Sequence, residues 1–278
     1  MAVIEAALAI ERLTAADADA GLALSRETNW NQTLADWRVF VESGIVFGIR
    51  DDAGRVIATA ALLPSPPVTW ISMVLVTPAW RRRGLADRLM RCCIAEAQAR
   101  GWQPWLDATP AGVDVYRTLD FVETGFGLLR MRRPAQTAAT DAGHAGASSG
   151  NLDALLFADR DALGFDRAPI LRTLSQRAGS IIYRTCDALA LVRDGDRARH
   201  IGPAFASDDA DAIALLEKIV ACESAALLVD IADDRPALRR WCDGQGFVFE
   251  RPFSRMCLRA SLKTSHGRLI AVAGPEFG

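Results

Sequence analysis

Tyrosine is nearly missing from this chain, with Tyr116 and Tyr183 its only two among 278 residues. Histidine is as scarce: His144, His200 and His266 lie far apart and offer neither a catalytic triad nor a metal pair. The six cysteines, at 92, 93, 186, 222, 242 and 257, form no CxxC and share no ligand spacing with histidine, so neither structural zinc nor any other metal is expected. Cysteines without such patterns point to reduced thiols and a cytoplasmic protein. A basic excess is also absent. Lys and Arg total 32 against 34 Asp and Glu, and a net charge of −2 argues against nucleic acid as a partner. No apolar run reaches the ~18 residues of a membrane-spanning helix, so no membrane partner is expected. Residues 1–8 are mildly apolar but lack a basic leader and carry Glu5, which does not suit a signal peptide.

Half of the residues are hydrophobic and 24% are charged, the proportions of a globular protein with substantial cores. The length exceeds that of the usual single domain and predicts two. Arginine heavily outnumbers lysine and alanine is abundant, a bias that fits a GC-rich coding sequence and carries no functional weight.

The stretch that organises the chain is 74–86, Val-Leu-Val-Thr-Pro-Ala-Trp-Arg-Arg-Arg-Gly-Leu-Ala. An apolar strand runs out at Thr77 and Pro78, a basic loop follows, and a helix opens near Gly84 or Leu85. Leu85, Leu89, Cys93 and Ala97 recur at helical spacing, and Gly101 supplies the stop. The first amides of such a helix have no internal partner and stand at the positive end of its dipole. Gly84 has no side chain to keep an oxygen away, and Arg81, Arg82 and Arg83 add donors. That arrangement suits a phosphate, although a solvated basic loop ahead of an ordinary helix is the plainer alternative.

Around this stretch the pattern predicts a strand at 7–12, a helix entered through Thr14, and a second helix capped by Thr33 with Asp36 and stopped by Gly44. A hairpin of strands at 45–50 and 56–63 follows, turning at 51–54. Pro64, Pro66 and Pro67 break the chain before a strand at 70–76. After the basic loop and its helix come a strand at 105–108, a helix at 111–119, and strands at 121–124 and 128–132. Residues 134–150 contain no bulky apolar side chain and read as a linker. The pattern then restarts with helical stretches at 152–158 and 169–177 and strands at 180–184, 189–193 and 200–206. A helix capped by Asp208 reaches 222, and a strand at 227–231, a helix at 236–243 and strands at 247–253 and 256–262 complete it.

Arg81, Gly84 and Ala86 resemble the acetyl-CoA signature of the GNAT superfamily of N-acetyltransferases: Arg or Gln, two residues, Gly, one residue, then Gly or Ala. The element order through residue 133 is similar to that of the GNAT fold. Tyr116-Arg117-Thr118-Leu119-Asp120-Phe121 resembles the family's Tyr-x-x-Leu-Gly-Phe, with Asp120 where Gly is usual; Asp tolerates left-handed geometry better than most residues. In the second half, Val229-Asp230 and Phe247-Val248 mirror Leu106-Asp107 and Phe121-Val122. With Ile201-Gly202-Pro203 and Arg255-Met256, they resemble the C-terminal domain that accompanies a GNAT domain in some bacterial acetyltransferases. That half lacks the signature, since Ser207-Asp208-Asp209 at its helix start would repel a pyrophosphate and Cys242 stands where the first half has Tyr116. The expectation is an α/β (α+β) tandem GNAT acyl-CoA N-acyltransferase fold with mixed central sheets flanked by helices. Its divisions are a GNAT domain at 1–133, a linker at 134–151, and a GNAT-like domain at 152–278 without the acyl-CoA signature.

The resemblance implies acetyl-CoA as cosubstrate, its pantetheine arm along the backbone of Val74 and Val76 and its pyrophosphate against Arg81, Arg82, Arg83, Gly84, Leu85 and Ala86. Backbone amides near that strand end would polarise the thioester carbonyl. Tyr116 is the candidate general acid for the departing thiolate; a core aromatic at a helix end is its plainer role. No base is visible, for Asp107 and Asp230 serve equally well as capping or hydrogen-bonding residues. Acceptor recognition falls to Trp30 and Asn31, in the connection between the first two helices, with core packing as the competing role for Trp30. Cys92 and Cys93 read as packing residues. The implied function is transfer of an acetyl group from acetyl-CoA to a primary amine of a small-molecule or amino-acid-like acceptor. The alternative is a non-catalytic acyl-CoA-binding sensor or regulatory module. The second unit would narrow the acceptor cleft or, in the alternative, form the surface of a homodimer.

Overall fold

A computed structural model describes residues 8–136, 151–259 and 266–278. Most of the linker expected at 134–151, and the end of the strand expected at 256–262, lie outside the described residues.

The first unit runs β1 (Ile10–Leu13), α1 (Ala18–Glu27), α2 (Leu34–Ser43), β2 (Ile45–Arg50), β3 (Val56–Ser65), β4 (Val68–Val76), α3 (Leu85–Ala99), β5 (Gln103–Ala108), α4 (Pro110–Arg117) and β6 (Phe121–Arg133). The second runs α5 (Leu152–Leu163), α6 (Ala168–Ser175), β7 (Ile181–Arg184), β8 (Ala188–Arg193), β9 (Arg199–Ala206), α7 (Asp209–Cys222), β10 (Leu227–Ala232), α8 (Pro236–Gly244), β11 (Val248–Leu258) and β12 (Leu269–Ala271).

Local chemistry sets most of these boundaries. Asp36 N donates to Thr33 Oγ1 at 3.2 Å and the Thr33 amide donates to Asp36 Oδ2 at 2.7 Å, closing the expected capping box ahead of α2. Between β2 and β3, Gly54 takes φ +77° while Asp51 Oδ1 accepts from the amides of Ala53 and Arg55. α3 buries the expected stripe of Leu85, Leu89, Cys93 and Ala97 and adds Met90. Asp120 adopts φ +67°, the left-handed geometry usually left to glycine, as its place in the motif requires.

Two expected pairs of strands are corrected. The strands expected at 121–124 and 128–132 are one strand, β6, and those expected at 247–253 and 256–262 are one strand, β11. Gly125 at φ +86° kinks β6 without reversing it. The register against β11 slips twice, between Phe249 and Arg251 and between Ser254 and Met256, and Thr124 Oγ1 donates to Arg255 O at 3.2 Å across the second slip. Running on lets the two strands pair antiparallel over most of their length, so their backbone groups find partners in one another. The sheet order is therefore β1-β2-β3-β4-β5-β11-β6-β10-β12-β9-β8-β7, and each unit takes a long strand of the other into its own half.

Buried ion pairs pin this exchange. Arg255 of β11 faces Asp107 of β5 across the strands, with Nε 2.9 Å from Oδ1 and Nη2 3.0 Å from Oδ2. Arg130 of β6 faces Asp230 of β10 in the same manner, at 2.7 and 2.9 Å. The mirrored aspartates of the sequence are the two anchors of the exchanged strands.

His200 joins the second anchor, its Nε2 3.0 Å from Asp230 Oδ2. Burial and then the charge of Arg193 lower its pKa, against the pull of Asp230, so the ring is neutral and donates to the carboxylate. His266 is likewise lowered, to about 4, by burial and then by Arg255. An imidazole neutral in the fold but free to protonate when unfolded makes the unfolded chain bind more protons below its ordinary value of 6.5, so stability is lost as pH falls through that value. Urea unfolding from about pH 7.5 down to about pH 5.5 should show a loss of stability to which both rings contribute, the His266 share approaching about 1.4 kcal/mol per pH unit. His200→Gln should flatten part of the slope, and equal stability at both ends would contradict a neutral, buried His200.

The sequence gives no sign of β12, which enters the second unit between β9 and β10. It fills the wedge that opens where those parallel strands part after Ile201↔Val229. Residues 269–278 are all buried, and the segment continues towards the first unit, where Phe277 stacks on Phe40 at 5.1 Å and Trp70 Nε1 donates to Pro275 O at 2.8 Å.

Candidate active site

In the first unit the corresponding wedge is open. β4 and β5 pair only as far as Trp70↔Trp105 and then diverge around a cleft of about 620 Å³, counting space open to solvent. On the β4 wall the backbone bulges. Met73 takes φ +52°, neither Met73 nor Val74 has a partner in the β3 ladder, and both line the cleft. Thr59 Oγ1 donates to Met73 O at 2.9 Å and holds the bulge. Two buried polar atoms of the lining, Ser72 Oγ and Gln32 Oε1, have no hydrogen-bond partner among the described residues.

Tyr116 on α4 and Asp107 at the end of β5 form a second wall. Burial pushes the Tyr116 hydroxyl up to about 12, so it keeps its proton through neutral pH. Burial also raises the Asp107 carboxyl, with Arg255 opposing. The remaining wall comes from the strand exchange and the final segment: Arg130, Arg251, Phe253, Pro275 and Glu276. Glu276 is held by Arg193, whose Nη2 lies 3.2 Å from its Oε1.

Beyond the far end of β4 lies the basic loop. Arg82 at φ +61° and Gly84 at φ +75° both take left-handed backbone, curling the loop so that α3 begins at Leu85 with Gly84 as its N-cap. A Cβ on Gly84 would meet nothing within 4 Å, so the glycine answers to the sign of φ more than to crowding. Arg81, Arg82 and Arg83 are exposed; Arg81 Nε donates to Val76 O at 3.0 Å, and the Arg83 guanidinium lies 4.6 Å from the Trp80 ring centroid.

The structure therefore gathers Trp30, Val74 and Tyr116 around one cleft, while Arg81, Arg82, Arg83, Gly84, Leu85 and Ala86 stand past the end of the same strand, outside the cleft lining. The Val76 carbonyl is already engaged by Arg81. Asn31 stands apart from these residues and borders a neighbouring cavity. Its Nδ2 donates to Ala198 O at 2.9 Å and its Oδ1 accepts from the amides of Arg197 and Ala198 at 2.9 and 3.0 Å, so its amide is spent on the second unit's backbone and does not line the cleft. Trp37 is fully buried, and burial pushes the Cys93 thiol up, as packing residues require. Arg130, Arg251 and Glu276 escaped the sequence reading. The repeated Arg-Met pair, Arg130-Met131 and Arg255-Met256, was the signal that could have matched each aspartate to an arginine.

In the second unit the corresponding wedge is filled among the described residues. β12 occupies its wedge, only Ser207 and Asp208 separate β9 from α7, and Asp208 Oδ1 accepts from Asp211 N at 2.9 Å, capping the helix with its own carboxylate. Cys242, in the place of Tyr116, is buried, its thiol pushed up to about 12 by that burial.

Comparison with known proteins accords with this geometry. Residues 11–121 match the acetyltransferase (GNAT) family and residues 156–271 match an acetyltransferase (GNAT) domain. Among solved structures, a putative acetyltransferase from Pyrococcus horikoshii superposes with a TM-score of 0.82 at 16% identity, over 100% of this chain and 98% of that one. A GCN5-related N-acetyltransferase from Sphaerobacter thermophilus gives 0.64 at 13% identity, over 95% and 99%. A tandem GNAT protein from the clavulanic acid biosynthesis pathway gives 0.57 at 14% identity, over 92% and 99%. These likenesses concern the fold alone. No curated protein sequence matches the chain. With a GNAT match in each half, together spanning most of its length, the chain belongs to the GNAT family of acyltransferases, carrying one GNAT unit after another.

Proposed function

We propose that this protein transfers an acetyl group from acetyl-CoA to the primary amine of a small-molecule or amino-acid-like acceptor, in the cytoplasm and without a metal. The observation that carries the reading is the open wedge between β4 and β5, with the basic loop past one end and Tyr116 in its wall. Acetyl-CoA supplies an activated thioester. The residues suit it: β4 offers an edge unpaired with β5 from Ile71 onward, and the start of α3 with Arg81, Arg82 and Arg83 offers amides and cations for a diphosphate. The backbone amides at the Met73 bulge are suited to a carbonyl oxygen that gains charge. Tyr116 Oη carries the proton that a leaving sulfur requires. Asp107 and Glu276 are each held by an arginine, so water is the acceptor we assign for the amine's proton.

We also propose that acyl-CoA binds the first unit alone. The filled wedge and the aspartates at the start of α7 support this. The same arginine-held carboxylates favour the second reading, an acyl-CoA sensor without turnover.

Release of free thiol from acetyl-CoA across a panel of amines separates the two. Thiol release with one amine class is expected; binding by calorimetry with no release from any amine would favour the sensor, and no binding would sink both. Tyr116→Phe should lower kcat by about 100-fold or more while leaving acetyl-CoA affinity within about twofold. A fully active variant would remove Tyr116 from the mechanism.

A further inference from the structure

Arg130 and Arg251 border more than this cleft. Both residues also line a second cavity of about 520 Å³, counting space open to solvent, whose walls add Arg132, Arg197 and Glu250. Arg251 stands where the two spaces meet. Its Nε is buried without a hydrogen-bond partner among the described residues, and no described carboxylate pairs with it. Its guanidinium lies 5.4 Å from the Phe253 ring centroid, an apolar backing that cannot neutralise it.

The surrounding charges do not neutralise it either. Asp230, the deepest carboxylate nearby, is spent on Arg130 and His200. Glu250 lies 4.0 Å from Arg132, and Arg197 donates to the carbonyl of Asn29 at 2.7 Å, with no acidic partner among the described residues. Burial and then the charge of Arg130 weaken the hold of Arg251 on its proton, against the pull of Asp230 and Glu250. Asn31, by clamping the backbone of Arg197 and Ala198, fixes the loop that brings Arg197 to this place.

We propose that the acceptor carries, besides its amine, an anionic oxygen group, a carboxylate or a phosphate, received by Arg251 at the junction of the two cavities with Arg197 at the rim. The proposal rests on the acyltransferase reading of the cleft. One molecule can then span the site, its amine at the end formed by Val74 and Tyr116 and its anion at the arginine end. A guanidinium fork matches either oxyanion with paired hydrogen bonds, which a neutral amide cannot accept as strongly.

The test pairs acceptors that differ only in charge: amino acids against their amides, and a phosphorylated amino alcohol against the free alcohol. The acid twin is expected to have kcat/KM about tenfold or more above its neutral twin, through KM. Arg251→Gln should bring that ratio close to one, Arg251→Lys should restore part of it, and Arg197→Gln, at an exposed position, should lower it by a smaller factor. Which of the two acids gains more decides between carboxylate and phosphate. Equal or better transfer to the neutral twins, or a ratio unmoved in Arg251→Gln, overturns the proposal. Binding of the same twins is also read by calorimetry without acetyl-CoA. If no amine supports thiol release but acids still bind more tightly than their neutral twins in an Arg251-dependent way, the transfer reading fails and the anion site stands. If neither acid binds better, the anion site fails by itself.

Discussion

Gly84→Glu is expected to abolish acetyl-CoA binding while leaving the protein folded. Gly84 sits at φ +75° as the N-cap of α3, and a Cβ there would meet open space, so the substitution creates no clash in the core. What it changes is local. A side chain in left-handed backbone carries a strain of about 1–2 kcal/mol, and the new carboxylate would stand at the positive end of the helix beside Arg81, Arg82 and Arg83. It would then occupy the place and satisfy the charges that a diphosphate needs. A loss of at least about 100-fold in affinity, some 2.7 kcal/mol, is the expected reading by calorimetry. Gly84→Ala carries the backbone strain without the charge and should lose about tenfold or less. Wild-type affinity in Gly84→Glu would remove the diphosphate from this helix.

Asp230→Ala is expected to destabilise the protein by about 3–5 kcal/mol, because it leaves the buried Arg130 guanidinium without its carboxylate and strips His200 of its partner. The cost of such a deletion lies mainly in the orphaned charge. Replacing the pair together, Arg130→Met with Asp230→Leu, should therefore recover most of the loss. Comparison of urea midpoints and slopes for the three proteins checks this, and a single variant within about 0.5 kcal/mol of wild type would show that the anchor holds nothing. Arg130 lies on β6 and Asp230 on β10, so the same variant should loosen the strand exchange. Faster hydrogen exchange in β6 and β10 than in β2 and β3 would locate the damage.

The sequence by itself determined most of the elements and their order, since caps, turns and hydrophobic period act over a few residues. Thr33 with Asp36, the turn at Gly54, the stripe from Leu85 to Ala97 and left-handed Asp120 were all legible for that reason. So was the tandem α/β plan, because the second half repeats the first in Asp230 for Asp107 and Phe247 for Phe121. Tertiary structure alone decided how the halves join. Two glycines in Thr124-Gly125-Phe126-Gly127 are compatible with either a break or a kink, and the choice rests on β11, more than a hundred residues away, offering a longer ladder. The cleft inherits that choice, with Trp30, Val74 and Tyr116 from the first half facing Arg251, Phe253 and Glu276 from the second. Nothing local marks β12 as the strand that fills the other wedge, because Leu-Ile-Ala is too short to carry a period. Only the unpaired edges of β9 and β10 give it a place.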